Sequence, residues 1–354
     1  MARTSEVAVK IGLVGYAGSG KTTVFNTMTR LAVPVGYGGE VRLGTVRVPD
    51  ERIEQLSGIF NPKKTTYAEM IFCDVPGERG AERKGLSTRA FVTIRQQEAL
   101  ALVLRDFENP TVEGIADPLR DLNGFSDECI LADLELVEGL LTRARKDNMS
   151  PADRDRLESM RGVLEDGRPL RTLSADELDR DCLKGYQLLT DRPLFVVVNR
   201  DEDRAADPLP DNLAARIHEL GAVGLALSAT VEAEIAVLHT DDQAAFLQDL
   251  GLTESALARF IRAAYGLLDL ISFFTVGEDE VRAWTITRGM SARKAAGKIH
   301  SDLERGFIRA EVIPYEVFVE HGSEQVVRGV GLAQTEGKEY VVADGDIMNV
   351  RFNV

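Results

Sequence analysis

One short string near the amino terminus limits what this chain can fold into more than any other feature. Gly15-Tyr16-Ala17-Gly18-Ser19-Gly20-Lys21-Thr22 is a full match to G-x-x-x-x-G-K-[ST]. It follows a β-branched run, Val9-Lys10-Ile11-Gly12-Leu13-Val14, and runs into a helix-like stretch from Thr22 to Leu31. A glycine turn between strand and helix lets successive backbone N–H groups converge on an anion at the positive end of the helix. In that geometry Gly15, Gly18, Ser19 and Gly20 wrap phosphate oxygens. Lys21 reaches the β and γ phosphates, the Thr22 hydroxyl holds magnesium, and Thr23 helps at the α phosphate.

The rest of the chain supplies the sheet that such a loop needs. Met70 to Cys73, Ala99 to Leu104, Pro193 to Val198 and Gly224 to Leu227 are short runs too apolar to have a wet face. Strands of this kind separated by helices predict an α/β fold, a doubly wound and mostly parallel sheet covered on both sides. Three polar groups sit at the expected strand ends. Asp74-Val75-Pro76-Gly77 follows the second run; there Asp74 binds magnesium through water and the Gly77 N–H senses a γ phosphate. Asn199-Arg200-Asp201-Glu202 stands where guanine-reading loops carry N-K-x-D, with Arg200 in place of Lys and Glu202 in place of Asp. The longer acid does not keep the same two-pronged fit to guanine. Ser228-Ala229-Thr230 follows the last strand and places a backbone N–H against a base.

The texture changes between Asp117 and Lys184. Leu131, Leu134, Val137, Leu140 and Leu141 recur at helical spacing, and Ser150-Pro151-Ala152-Asp153 is an N-cap with proline at the first helical position. A pair of antiparallel helices inserted into the sheet domain is expected. From Asn109 to Lys184 the chain holds 18 acidic and 11 basic side chains, a net −7, about half of the whole chain's −15. After a helix from Ala256 to Leu268, Ile271 to Val276 and Val281 to Thr287 read as strands. Ser291 to Arg305 reads as one helix, and Glu339 to Val342 with Ile347 to Phe352 as a terminal hairpin. Trp284 is expected in the core of this small α+β region, whose Arg282, Arg288, Arg293, Lys294, Lys298, Arg305 and Arg309 make one side basic.

With 42 Lys and Arg against 57 Asp and Glu, the chain is not built to neutralise nucleic-acid phosphates broadly, and sequence-specific DNA binding is not expected. No apolar run approaches a membrane span, and no apolar signal core precedes the first strand, so a cytoplasmic protein without a membrane partner is expected. Cys73, Cys129 and Cys182 are too scattered for a disulfide framework or a metal set.

The chain resembles the Obg-related P-loop NTPases and, within them, the YchF or Obg-like ATPase family. KIGLVGYAGSGKTTVFN, FCDVPG, NRDE in place of N-K-x-D, and LSATVEAEIAVL are similar to that family's nucleotide site. SDECILADLELVEGLL is similar to its helical coiled-coil insert. ISFFTVGEDEVRAWTITRGMSARKAAGKIHSDLERGFIRAEVIPYE, with EGKEYVVADGDIMNVRFNV at the end, looks like its ubiquitin-like TGS domain, a β-grasp fold. The resemblance implies an NTPase domain over residues 8–108 and 188–268, the insert over 109–187 and the TGS domain over 269–354. It implies ATP preferred over GTP, slow magnesium-dependent hydrolysis by a monomer, and a ribosome or translation factor met through the insert and the TGS domain. Three features depart from the family pattern. Gly38 stands where the first switch carries Thr, and Glu78 follows Gly77 where an apolar residue is usual. Glu78 to Lys84 is charged with one glycine where the second switch is glycine-rich. Gly38 and Glu78 leave a scaffold with little hydrolysis as one alternative, and a GTP-binding protein in which Glu202 still reads guanine as the other.

Overall fold

The computed structural model describes residues 9–31, 41–75, 88–144, 149–174, 176–180 and 185–353. The chain begins β1 (Val9–Val14), α1 (Lys21–Thr29), β2 (Arg42–Arg47), α2 (Glu51–Phe60), β3 (Lys64–Thr66), β4 (Glu69–Asp74) and α3 (Thr88–Arg95). It continues β5 (Ala99–Asp106), α4 (Pro118–Ala144), α5 (Pro151–Glu165), β6 (Leu194–Arg200), α6 (Asp211–Glu219), β7 (Val223–Leu227), α7 (Ala229–Val237), α8 (Thr240–Asp249) and α9 (Ala256–Leu267). It ends β8 (Leu270–Thr275), β9 (Glu280–Thr287), α10 (Ala292–Ile299), α11 (Ser301–Arg305), β10 (Phe307–Pro314), α12 (Tyr315–His321), α13 (Glu324–Gly329), β11 (Gln334–Glu336) and β12 (Asp346–Phe352).

Two compact units divide these elements, one comprising residues 10–44 and 72–260, the other 1–9, 45–71 and 261–354. The first is organised by the sheet β2-β4-β1-β5-β6-β7, in which the β1–β5, β5–β6 and β6–β7 ladders are all parallel. β6 is buried at every residue and β5 at all but its last, as parallel strands covered on both faces must be. One core gathers Val14, Leu102, Leu104 and Val198 against Leu122 and Phe125 of α4 and Ile217 of α6. Phe72, Phe195 and Phe260 form another apolar contact, with ring centroids 5.4 and 5.0 Å from Phe260.

Helices α4 and α5 pack through Ile130, Val137 and Leu141 against Leu157, Met160 and Leu164. Ser150 caps α5, its side chain accepting from the Asp153 N–H, with Pro151 at the first turn as the sequence predicts. α4 begins well before the apolar repeat that announces it, because Leu122 and Phe125 in its first turns join the sheet core. Asp133, fully buried on the same helix, accepts from Arg95 at 2.8 Å and from the Thr190 N–H and hydroxyl at 2.7 and 2.8 Å. This carboxylate pins α4 beside the sheet.

The other unit is built on the sheet β11-β10-β12-β8-β9-β3. β8 pairs antiparallel with β9 and parallel with β12, while β10 pairs antiparallel with both β12 and β11. β3 joins the far edge in parallel with β9. The alanine face of α10, Ala292, Ala295 and Ala296, packs on Ile271, Phe273, Trp284 and Phe307. Trp284 is core, with its Nε1–H donated to Thr275 at 3.0 Å and the Arg282 guanidinium 4.0 Å above its ring.

Two sequence expectations fail here. Ser291 to Arg305 is two helices, because His300 is extended and its Nδ1 accepts from the Asp302 N–H, capping α11. The terminal hairpin does not form. Asp346 accepts from the Tyr340 hydroxyl at 2.8 Å and the Ala343 N–H at 2.9 Å, closing a loop, and β12 pairs instead with β10 and β8. The basic side is partly neutralised by its own acids, with Arg288 paired to Asp269 and Arg305 to Asp302.

Candidate nucleotide-binding site

The site lies at the carboxyl ends of β1, β4, β5, β6 and β7, where an open α/β sheet places ligands. Gly15 leaves β1 beside the Val103 carbonyl of β5; a Cβ there would lie 2.5 Å from that oxygen. The loop then curls onto the start of α1, where Gly20 sits at φ +82° in the left-handed region that glycine adopts without strain. A Cβ on Gly20 would lie 2.2 Å from the Asn199 amide nitrogen, so this position also has no room for a side chain. Val24 donates back to the Gly20 carbonyl at 2.9 Å, completing the first helical turn over Lys21, Thr22 and Thr23.

Three predicted residues meet at one carboxylate. Lys21 Nζ lies 3.2 Å from Asp74 Oδ1 and also donates to the Val75 carbonyl. The Thr22 hydroxyl donates to Asp74 Oδ2 at 3.3 Å. Lys21 and Asp74 are both buried, so their attraction is little screened by water. β4 delivers the carboxylate because the Val75 N–H donates to the Leu13 carbonyl, carrying the β4 end alongside β1. Ser19 is buried within the loop, and its hydroxyl has no hydrogen-bond partner among the described residues.

On the other side Asn199 binds two loops at once. Its Nδ2 donates to the Ser19 carbonyl and its Oδ1 accepts from the Ala229 N–H, at 3.2 and 3.0 Å. Ser228, buried, caps α7. The Ala229 N–H is therefore bound to Asn199. Glu202 is exposed on a short 3-10 helix, Glu202–Arg204, beyond β6. Arg200 turns away from the loop. Its guanidinium is buried against Asp106 at 3.0 Å, its cross-strand neighbour on β5, and it donates to the Asp207 and Pro208 carbonyls. Gly77, Gly38 and Glu78 lie outside the described residues.

Sequence reasoning missed three groups around the loop. Asp106 gathers Arg200 and Arg204, at 3.0 and 2.8 Å. Tyr16 donates its hydroxyl to Glu128 of α4 at 2.9 Å, and burial with the adjacent carboxylate raises its pKa. Asn109 donates to the Gly18 carbonyl at 3.2 Å. Only position after a strand end hinted at Asp106 and Asn109. Cys73 lies buried in β4, and burial with Asp74 beside it pushes its thiol up to about 11.

Comparison with known proteins bears on the whole chain. A family model described as 50S ribosome-binding GTPase matches residues 10–134, and the YchF-GTPase C-terminal model, described as a protein of unknown function, matches residues 270–353. Ribosome-binding ATPase YchF of Bacillus subtilis is 38% identical, covering 98% of this chain and 100% of its own length. That of Haemophilus ducreyi is 38% identical over 98% of this chain and 99% of its own. The chain belongs to the YchF family. The solved structure of the Schizosaccharomyces pombe YchF GTPase superposes with a TM-score of 0.83 at 30% identity, covering 97% of each chain. The α/β fold of a P-loop GTPase is therefore that of a YchF relative across nearly the full length. Among the described residues no helix is long and apolar enough to cross a membrane.

Proposed function

We propose that this chain is a magnesium-dependent ATPase that associates with ribosomes, using its nucleotide state to change how it engages them. The observation that carries the reading is the convergence of Lys21 and Thr22 on Asp74 beneath a glycine loop. The names of the bacterial relatives, ribosome-binding ATPases at 38% identity over nearly their full length, support it. Lys21 is assigned to the β and γ phosphates, Gly15 to Thr23 to the phosphate cradle, and Gly77 to the γ phosphate. Asn199, Ser228 and Ala229 are assigned to the base side, with Glu202 as the residue that disfavours guanine.

The oxygen donors at the phosphate end suit magnesium. A hydroxyl and one carboxylate, with no cluster of three His, Cys, Asp or Glu among the described residues, is the modest donor set that magnesium shares with phosphates. Thr22 would hold the ion directly and Asp74 through water, and when bound it neutralises charge on the phosphoryl group. The buried, unpartnered Ser19 hydroxyl fits the same reading, since a polar atom left bare costs about 1–3 kcal/mol unless a ligand meets it.

Residues 109–187 are read as the helical insert and 269–354 as a TGS domain, the two surfaces offered to the ribosome by a monomer. The acidic α4–α5 region suits a basic protein better than RNA. Phosphate release from ATP and GTP, measured with and without ribosomes, tests the reading. ATP turnover that rises with ribosomes is expected; no release from either nucleotide rejects it. The S. pombe relative is named a GTPase, which favours GTP as the second reading, and competition of ATP and GTP for one labelled analogue separates the two.

A further inference from the structure

Two asparagines reach the phosphate loop from outside it. Asn199, at the end of β6, belongs to the base side already described. Asn109, three residues beyond β5, has no part in the nucleotide assignment. Its Nδ2 donates to the Gly18 carbonyl at 3.2 Å, and Asn199 Nδ2 donates to the next carbonyl along, Ser19, at 3.2 Å.

Asn109 is itself held in place. Its Oδ1 accepts from the Thr111 N–H at 3.0 Å and the Thr111 hydroxyl at 2.7 Å, and the Val112 N–H closes the turn on the Asn109 carbonyl at 3.1 Å. This turn, in which an asparagine side chain bonds its own backbone two residues on, is a stable local structure. It lays Val112 against the loop: a Cβ on Gly18 would lie 2.2 Å from Val112 Cγ2 and 3.0 Å from Asn109 Nδ2. Gly18 also has φ +75°, so both the backbone and the strap exclude a side chain there.

A peptide unit is planar, with C=O and N–H on opposite sides. Anchoring the Gly18 oxygen from outside therefore sets the plane of the Gly18–Ser19 peptide, whose Ser19 N–H donates to the Tyr16 carbonyl at 3.2 Å. Anchoring the Ser19 oxygen sets the Gly20 N–H in the same way. Preorganised amides stabilise developing charge because they need no reorganisation at the moment of reaction.

We propose that Asn109 is a positioning residue for the nucleotide reaction, acting through the Gly18 carbonyl to hold the middle of the phosphate loop in its working shape. It acts through the backbone and not on the nucleotide. The inference rests on the reading of Gly15–Thr22 as the nucleotide site. A loosened loop still binds phosphates but presents its amides off-target as charge develops, so kcat suffers more than KM.

The test is steady-state ATP hydrolysis by the full chain carrying Asn109→Ser, which keeps an oxygen for the turn but is too short to reach Gly18, with Asn109→Ala as the second variant should the first not fold. Both are expected to lower kcat by about tenfold while moving KM by less than about threefold. Thr111→Val, which loosens the turn that holds Asn109 but leaves the amide donor, is expected to lower kcat by less than the Asn109 variants do. Asn109 variants with parental kcat, or with a KM that rises as much as kcat falls, would overturn the proposal. Lys21→Ala tells the two possible failures apart. If it loses ATP affinity while the Asn109 variants behave as parent, only the positioning role falls; if it binds ATP as tightly as the parent, the site reading falls and takes the proposal with it.

Discussion

Asn199 and Asp74 stand at the ends of β6 and β4, on opposite sides of the strand that feeds the phosphate loop, and they are held in opposite ways. Asn199 bonds two backbone groups, the Ser19 carbonyl and the Ala229 N–H, and a nucleotide can arrive beside those bonds without breaking them. Asp74 is bonded by Lys21 and Thr22, the groups that the motif assigns to phosphate and metal. A nucleotide bound as proposed would exchange partners with the carboxylate. On the proposed assignment the base side is fixed architecture, and the metal side is a set of charges that neutralise one another until a ligand takes them over. Buried ion pairs behave in this way because stripping one partner leaves the other uncompensated.

Removing Asp74 should have the largest effect and should fall only on the metal side. Asp74→Ala is expected to weaken magnesium-supported ATP binding by roughly 100-fold. It should also lower the unfolding temperature without nucleotide, since Lys21 is left buried without its carboxylate. Added magnesium ATP should then raise that temperature by less than it does in the parent, by linkage, because the variant binds it more weakly. Equal stabilisation of parent and variant would erase the distinction between the two sides. Asn199→Ala removes two hydrogen bonds present with and without nucleotide, so it should lower the unfolding temperature of both forms. Any loss of nucleotide affinity should stay below about tenfold and be the same with and without magnesium. A loss seen only with magnesium would put Asn199 in the metal's circuit.

The smallest expected effect probes the base side from behind. Glu232, in the first turn of α7, is buried and accepts from the Ala256 N–H at the start of α9 at 2.7 Å. Burial is the leading cause that raises its carboxyl above the usual range, outweighing the backbone N–H bonds that lower it. The folded state thus keeps this proton to higher pH than the unfolded chain does. The stability it contributes is full below the ordinary glutamate value and is lost as pH rises through the raised one. Glu232→Gln keeps an acceptor for Ala256 and removes that dependence. Its unfolding temperature should therefore gain on the parent's as pH is raised from acid to neutral, as thermal melts across that range would read. A gap that stays constant with pH would mean that Glu232 titrates normally.

Much of the first sheet was legible because its strands are buried on both faces and announce themselves as unbroken apolar runs; β1 spans Val9–Val14 as read from the sequence. The phosphate loop was legible because backbone geometry there demands glycine at fixed spacing. Tertiary partners were not legible. Nothing local marks Asp133 as the buried anchor of α4, or Arg200 as the partner of Asp106 and not a base contact, because both depend on which strand lies alongside. β10 reads Phe-Ile-Arg-Ala-Glu-Val-Ile-Pro, with two exposed residues breaking the alternation, and it was passed over as a strand. Glu339 to Val342 reads as a strand because its apolar pair, Val341 and Val342, outweighs Asp346, which folds the segment back.

The claim that the Gly15–Thr22 loop is where this chain binds ATP is tested most directly by calorimetric titration of magnesium ATP into the parent and Lys21→Ala. The account predicts a saturable heat in the parent and an affinity at least about 100-fold weaker in the variant, with the fold intact by circular dichroism. Equal affinity in the two proteins would contradict it.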